Sequence, residues 1–380
     1  MLKLLPTVAK PVGFVDGPLT ALDAVHCVEA ELGHVLDDRL RQAQDVDTVF
    51  ARDVAGRVTA FVRRGGKRLR TAFAWCGWRA AGGSGDATAL LRTGAALELL
   101  QACALVHDDV MDGSPLRRGA PAMHVDFARM HQTARMTGAR ETFATSATIL
   151  AGDLALAWAD DLLTDTALSS PHGAQMHREW QAMRAEMVAG QYRDIHAQAT
   201  GMSGIDEAIS IATLKSALYT VARPLALGAA LAGADEHTLN ALYSAGRCAG
   251  LAFQLRDDLL GTYGNPGETG KPADGDLRAR KLTYLLAVGM RLAEAAGDDD
   301  ATDAFCPTPG YRSDEAVNRM RAALENTGAR TAVESKITEL AAASLRHFAG
   351  SGADPFVQRE FTVLVERASG VALKTTEGQG

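Results

Sequence analysis

Aromatic residues are scarce in this chain, at 6%. Stretches that combine Val, Ile, Tyr and Thr are few, and no alternating apolar–polar pattern of useful length appears, which argues against a fold built on sheets. The five cysteines (Cys27, Cys76, Cys103, Cys248 and Cys306) form no CxxC pair and are odd in number. A disulfide framework is therefore not indicated, and reduced thiols in a cytoplasmic protein are expected. No run reaches the roughly 18 uninterrupted apolar residues that mark a membrane span. The closest, "LLRTGAALELLQACALV", is broken by Arg92 and Glu98. The N-terminal "MLKLLPTVAKPVGF" has a proline at position 6 and no long apolar core, so it is a poor signal peptide. Excess positive charge is missing too. The formal net charge is −7, which disfavours a nucleic-acid partner.

What is present is Ala and Leu in quantity, and both favour helix. With 380 residues, 47% of them hydrophobic, the chain can bury a substantial core. Residues 1–18 read as a loose leader, followed by one all-α domain over 19–369. Helical periodicity starts at Leu19 and runs through "LDAVHCVEAELGHVLDDRLRQA". Gly65-Gly66 reads as a loop, with a helix starting at Lys67. Asp86 opens a long helix that reaches Asp112 and stops at "GSP". Further helices are expected at Glu141–Leu163, Gln175–Gln198, Ile205–Leu231, Glu236–Leu260 and Leu282–Ala295. Residues 297–314 are acidic and turn-rich and read as a surface loop insert. Two or three helices follow, from Asp314 to about Ser369, and 370–380 reads as a frayed tail.

Chemistry concentrates in "HDDVMDGSPLRRGAP", residues 107–121. On a helix, Asp108 and Asp112 stand i, i+4 on one face, with Asp109 turned about 100° away. Stacked carboxylates repel unless a cation lies between them, and acid at a helix C-terminus opposes the macrodipole. Carboxylate oxygens suit Mg²⁺, which leaves its other positions to water and phosphate. A second acid pair, Asp257 and Asp258, closes the apolar stretch "AFQLRDD", with Gln254 one turn earlier. Two such helix ends suggest helices facing each other across a metal-filled cavity, with a diphosphate as its guest. Basic residues agree. Lys67 and Arg70, read as sharing a helical face, and Arg117 and Arg118 are candidate phosphate ligands, with Lys215, Lys271 and Lys281 as further candidates.

The motifs "GGKRLR", "HDDVMDGSPLRRGAP", "GDLAL", "GQY", "KSALYT", "FQLRDDLLG" and "GKPADGDLRARKLT" together resemble the trans-isoprenyl diphosphate synthase (polyprenyl synthetase) family, over roughly Leu19 to Ser369. The segments "LGAALAG" and "GDLALAWADDLL" look especially like the actinobacterial geranylgeranyl diphosphate synthase branch of that family. The resemblance implies the isoprenoid synthase fold, a single large antiparallel helical bundle around a central substrate cavity, and a homodimer. It implies a Mg²⁺-dependent prenyltransferase that condenses isopentenyl diphosphate with an allylic diphosphate (dimethylallyl, geranyl or farnesyl). About three Mg²⁺ ions per site would promote ionisation of the allylic bond. Asp108 and Asp112 would ligate metal with Asp109 in support, and Asp257 a further ion with Asp258 nearby. Arg117, Lys215, Lys271 and Lys281 would contact the allylic diphosphate, beside the hydroxyl of Ser216. Lys67, Arg70, Arg118 and Gln101 would hold the diphosphate of isopentenyl diphosphate. Gln254 would turn its amide oxygen to the developing cation. One departure stands out: the second aspartate motif ends in Gly261 where the family usually has aspartate, so one carboxylate is missing there.

Competing chemistries fit less well. A terpene cyclase would need an (N/D)DxxSxxxE site, which the sequence lacks. An HD-type phosphohydrolase, suggested by His107-Asp108, would need further ligating histidines on separate helices. His124 and His131 lie close together in a segment that reads as a loop. A silent partner subunit would lose first-site aspartates or arginines, and this chain keeps them. Product length should follow the first-site helix. Ala104 and Cys103 lie about 6–7.5 Å below Asp108 and are small, so a growing chain should pass them. Leu100 and Leu99 would form a floor one turn deeper. Twenty carbons are therefore expected rather than fifteen.

Overall fold

The structure, a computed structural model, describes residues 17–264, 274–306 and 313–373. Among these, strand is limited to a two-residue ladder, β1 (Leu116–Arg117) against β2 (Ala120–Pro121). Everything else of regular structure is helical, as the composition implied. The chain divides into two compact units: residues up to His177 with Ala230–Gly233, and Arg178–Ala229 with the rest from Ala234 onward.

The first unit holds α1 (Ala21–Val46), α2 (Thr48–Phe50), α3 (Gly56–Arg63), α4 (Leu69–Ala80), α5 (Thr88–Met111), α6 (Met123–Thr133) and α7 (Arg140–Leu168). A capping box starts α1: the Asp23 amide donates to the Thr20 hydroxyl and the Thr20 amide to the Asp23 carboxylate. Gly17 and Pro18 are held rather than loose, since Gly17 N–H donates to Gly85 and the Trp75 indole donates to the Pro18 carbonyl. Helix α5 is apolar around most of its circumference because it is the core element. Leu97, Leu99 and Leu100 are all fully buried, and truncating any of them should cost about 2–5 kcal/mol. Against α5 lies α7, with Gly152 facing His107. A Cβ there would sit 2.1 Å from His107 Nε2, so the glycine makes room for that imidazole. Both α5 and α7 are long and apolar enough to cross a membrane by length and composition. The apolar stretches are 67% and 44% buried inside the protein, and packing into the core accounts for the apolarity of α5.

Helix α8 (Gly173–Thr200) leads into the second unit. There α9 (Ile205–Ala212) runs into a π-helical stretch, Thr213–Ala222, and on into α10 (Arg223–Leu231). The sequence reads as one helix over these residues. The wider turn lies against α11 (Glu236–Tyr263) where Gly250 lets the backbones meet: a Cβ there would lie 2.3 Å from the Ala217 carbonyl oxygen. Then come α12 (Gly275–Ala279), α13 (Tyr284–Ala296), α14 (Asp299–Phe305), α15 (Asp314–Asn326), α16 (Ala329–Ala349) and α17 (Pro355–Ser369). The core of this unit includes Phe348 and Phe361, stacked with ring centroids 3.9 Å apart.

Several expectations need correction. The helix after the glycine pair starts at Leu69, not Lys67, because Arg68 takes a left-handed backbone (φ 49°). Lys67 therefore lies in the loop and does not share a helical face with Arg70. The segment over 297–314 is not wholly loop: Asp298 caps α14, whose Ala301 and Phe305 are buried. His124 and His131 lie on α6, a helix rather than a loop. Leu373, in the tail, donates its amide to Glu366.

Candidate active site

In the first unit, α5 ends at Met111 and Asp112 caps it, donating its amide to the Asp108 carbonyl at 2.9 Å. Asp108 and Asp112 thus lie one turn apart, both partly exposed. Asp109 points inward and is 0% exposed. The β1–β2 hairpin returns Arg117 onto this helix end. Its Nε donates to Asp109 Oδ1 at 2.8 Å and its Nη2 to Asp108 Oδ2 at 3.1 Å. One guanidinium therefore offsets two adjacent carboxylates that would otherwise repel. Burial pushes the Asp109 carboxyl up, against the pull of Arg117. Its Oδ2 is buried without a hydrogen-bond partner among the described residues.

Arg118 is the link to the glycine-rich loop. It donates from Nη1 to the Gly65 carbonyl, and its guanidinium stands 5.6 Å over the Phe61 ring. Gly66 makes this possible, because a Cβ there would come within 2.9 Å of Arg118 Nη2. Burial and then the nearby Arg68, with Arg117 and Arg70, hold the Arg118 guanidinium below its usual value. The structure thus brings Arg68 and Arg70 of "GGKRLR" close to Arg117 and Arg118 of "PLRRG", which the sequence separates by about fifty positions, beside the end of α5. Lys67 is exposed, and Arg70 and Gln101 are partly buried.

The chain-length residues lie on the same helix. Cys103 is 3% exposed, with its Sγ 3.7 Å from His107 Nδ1. Burial, aided by Asp153 and Asp160 of α7, pushes its thiol up to about 12. Cys103 therefore packs toward α7, whereas Ala104 stays partly exposed. Leu99 and Leu100 are fully buried.

The second unit carries the other candidates. Gln254 donates its amide to Asp258 Oδ1 at 2.7 Å, which leaves its amide oxygen to face elsewhere. Asp258 is buried, and its carboxyl is pushed up to about 8 by burial, then by Asp276, Asp257 and Asp194 against Gln254. Asp257 is partly exposed. Lys215 donates to Asp194 Oδ2 at 2.6 Å. Gly190 of "GQY" seats this pair, because a Cβ there would sit 2.2 Å from the Lys215 amide nitrogen. Lys281 Nζ lies 3.8 Å from Asp276 Oδ1, and Ser216 is partly exposed in the π-helical stretch. Lys271 lies outside the described residues.

Asp194 and Asp276 were not singled out from the sequence. Asp194 could have been found two residues past "GQY", as an acid available to pair with a lysine such as Lys215. Asp276 sits inside a recognised motif, but its position is a tertiary fact. Its Oδ2 lies 3.0 Å from where a Gly261 Cβ would be. A carboxylate from α12 thus stands beside the place where the second aspartate motif lacks one.

The donors are oxygen throughout, as Mg²⁺ requires. Among the described residues no three or more His, Cys, Asp and Glu side chains converge into a ready cage. Mg²⁺ seldom uses one, taking one or two carboxylates plus water and substrate phosphate. Asp108 and Asp112, and separately Asp257, fit that demand.

The sequence profile of the polyprenyl synthetase family matches residues 54–320. The chain belongs to the polyprenyl synthetase family. A geranylgeranyl diphosphate synthase of Mycobacterium tuberculosis is 33% identical over 264 residues, 69% of each chain. A (2E,6E)-farnesyl diphosphate synthase of Mycobacterium bovis is 36% identical over 251 residues, 63% of this chain and 64% of that one. The chain thus aligns with about two thirds of the length of these curated relatives. Among solved structures, the geranylgeranyl pyrophosphate synthase of Corynebacterium glutamicum, complexed with isoprenyl diphosphate and magnesium, has a TM-score of 0.85 and 36% identity, covering 90% of this chain and 97% of that one. As a polyprenyl synthetase, this chain keeps the first aspartate motif intact and departs at Gly261, where Asp276 stands close by.

Proposed function

We propose that the protein is a trans-polyprenyl diphosphate synthase that joins isopentenyl diphosphate to an allylic diphosphate. The observation that carries this reading is the end of α5. Asp108 and Asp112 stand one turn apart, Arg117 clamps Asp108 to the neighbouring Asp109, and beside them Arg118 meets the Gly65–Gly66 loop near Arg68 and Arg70. Carboxylates of that kind suit metal, and cations of that kind suit diphosphate.

Asp108, Asp112 and Asp257 would hold Mg²⁺, which when bound takes up negative charge on the leaving diphosphate. Arg117, Lys215, Lys271 and Lys281 bind the allylic diphosphate. Lys67, Arg70 and Arg118, with Gln101, fix the diphosphate of isopentenyl diphosphate, so its double bond is held near the allylic carbon. Gln254 directs its amide oxygen at the developing positive charge, and its own N–H is already committed to Asp258. Apolar packing around the chain-length helix excludes water that would quench a carbocation.

Geranylgeranyl diphosphate is the favoured product, since Ala104 leaves the level below Asp108 open and Leu99 and Leu100 lie deeper. We read the protein as cytoplasmic and homodimeric. The dimer reading is supported by the half-exposed apolar α7, whose Ile149 and Leu150 are 45% and 61% exposed. The test is incubation with isopentenyl diphosphate, each allylic primer and Mg²⁺, with chromatography of the dephosphorylated products. A twenty-carbon alcohol is expected. Failure to consume isopentenyl diphosphate with any primer would overturn the activity, and a fifteen-carbon end point would overturn the chain length.

A further inference from the structure

The middle cation of "KRLR" behaves unlike its neighbours. Arg68 lies directly between Lys67 and Arg70, yet its side chain is only 5% exposed. Every edge of its guanidinium is engaged from within the unit. Nε donates to Glu29 Oε1 of α1 at 2.8 Å, Nη1 to Glu98 Oε2 of α5 at 2.6 Å, and Nη2 to the Val62 carbonyl of α3 at 3.2 Å. Glu98 is itself 4% exposed and stands in the middle of the core helix. Arg68 also holds a left-handed backbone, with φ 49° and ψ 31° and no glycine to ease it. A non-glycine residue keeps that conformation only where its surroundings over-determine it.

We propose that the Glu29–Arg68–Glu98 triad is a positioning device for the diphosphate of isopentenyl diphosphate, and that Arg68 does not touch the ligand. This rests on the reading of the Lys67–Arg70 cluster as that diphosphate site. The buried guanidinium fixes the left-handed turn at residue 68. That turn sets the direction in which Lys67 leaves the loop and the phase at which Arg70 enters α4. Glu98 has two further links to the site. It lies one turn before Gln101 on α5, and it is the acidic neighbour that raises the Arg118 guanidinium against the pull of the surrounding arginines. Glu98 Oε1 is buried with no hydrogen-bond partner among the described residues, so the carboxylate is held by its pairing with Arg68.

A positioning role and a charge role predict opposite signs. Glu98→Gln keeps the shape and removes a negative charge near the cations. If charge alone mattered, inorganic pyrophosphate would bind more tightly. If the triad positions the site, the turn loosens. KM for isopentenyl diphosphate then rises about tenfold or more, KM for the allylic primer stays within about twofold, and calorimetry shows weaker pyrophosphate binding. Arg68→Lys keeps the charge but loses the fork, and should show the same KM split. Should Glu98→Gln not fold, Glu29→Gln carries the test, because that side chain is 49% exposed; a rise of about threefold in the same KM is expected. Unchanged KM for isopentenyl diphosphate, or tighter pyrophosphate binding, in a folded variant overturns the proposal. A wild-type protein that never consumes isopentenyl diphosphate overturns instead the reading on which it rests.

Discussion

Replacing Gly261 by aspartate would restore the usual second motif, and a sequence comparison alone would forecast a neutral or improved enzyme. The structure reverses that forecast. The new Cβ would sit 3.0 Å from Asp276 Oδ2, which puts the new carboxylate within reach of that oxygen. Two unit charges about 4 Å apart repel by about 1 kcal/mol in water and about 4 kcal/mol at an effective dielectric near 20. The Asp276 side chain is 34% exposed, and Lys281 stands 3.8 Å away to offset it. The screened end of that range applies, about 1–2 kcal/mol. Gly261→Ala is the control, because it meets the same oxygen without charge and gains up to about 1 kcal/mol of helix propensity. In metal-free buffer the aspartate variant should melt below the alanine variant by roughly 2–4 °C. Adding Mg²⁺ with inorganic pyrophosphate should narrow the gap, because a cation between the carboxylates removes the repulsion. An aspartate variant that melts at or above the alanine variant without metal would refute the placement of Asp276.

Three further outcomes follow from the same geometry. Asp108→Ala or Asp112→Ala should lower kcat by a hundredfold or more, to the order of 10²–10⁴, with a smaller change in KM for isopentenyl diphosphate; steady-state kinetics with each substrate varied would show whether the helix end is instead only a charged terminus. Lys215→Ala should impair allylic substrate use, and Asp194→Asn should impair the same parameter to a lesser degree, since the 2.6 Å pair holds the ammonium in place; a defect confined to isopentenyl diphosphate would sink that assignment. Ala104→Phe should shift the product toward fifteen carbons by chromatography. Cys103→Phe should chiefly cost stability, about 1–3 kcal/mol, because Cys103 is packed against His107.

What could be read from the sequence was what depends on local spacing. The i, i+4 relation of Asp108 and Asp112 is a property of helix geometry, so their placement one turn apart at the end of α5 was legible. The long core helices were legible to within about five residues because core burial imposes a period of 3.6, while the shorter α6 and α14 read as loop. Direction was not. Arg68 stands between the candidate phosphate cations Lys67 and Arg70 with nothing local to set it apart, and only Glu29 and Glu98, 39 and 30 positions away, turn it inward. Arg117 reads as a ligand for phosphate, yet the hairpin brings it back onto Asp108 and Asp109. Gly261 reads as a lost carboxylate until Asp276 is found against it.

These three cases share one cause. A charged side chain announces what it can bind, but its partner is chosen by which elements the fold brings alongside. In a site crowded with like charges, that choice carries the energetics. Four arginines can gather near the glycine loop because Arg68 is paired with Glu98 and Arg117 with Asp108 and Asp109. Arg68 and Arg117 thus meet carboxylates directly. Under the proposed function, Lys67, Arg70 and Arg118 are the cations that receive an anion from outside. The division between cations that build the site and cations that serve it follows from burial. Arg68, at 5% side-chain exposure, belongs wholly to the first group, and Arg117, at 10%, stands at the boundary, where under the proposed function a diphosphate would compete with the aspartates.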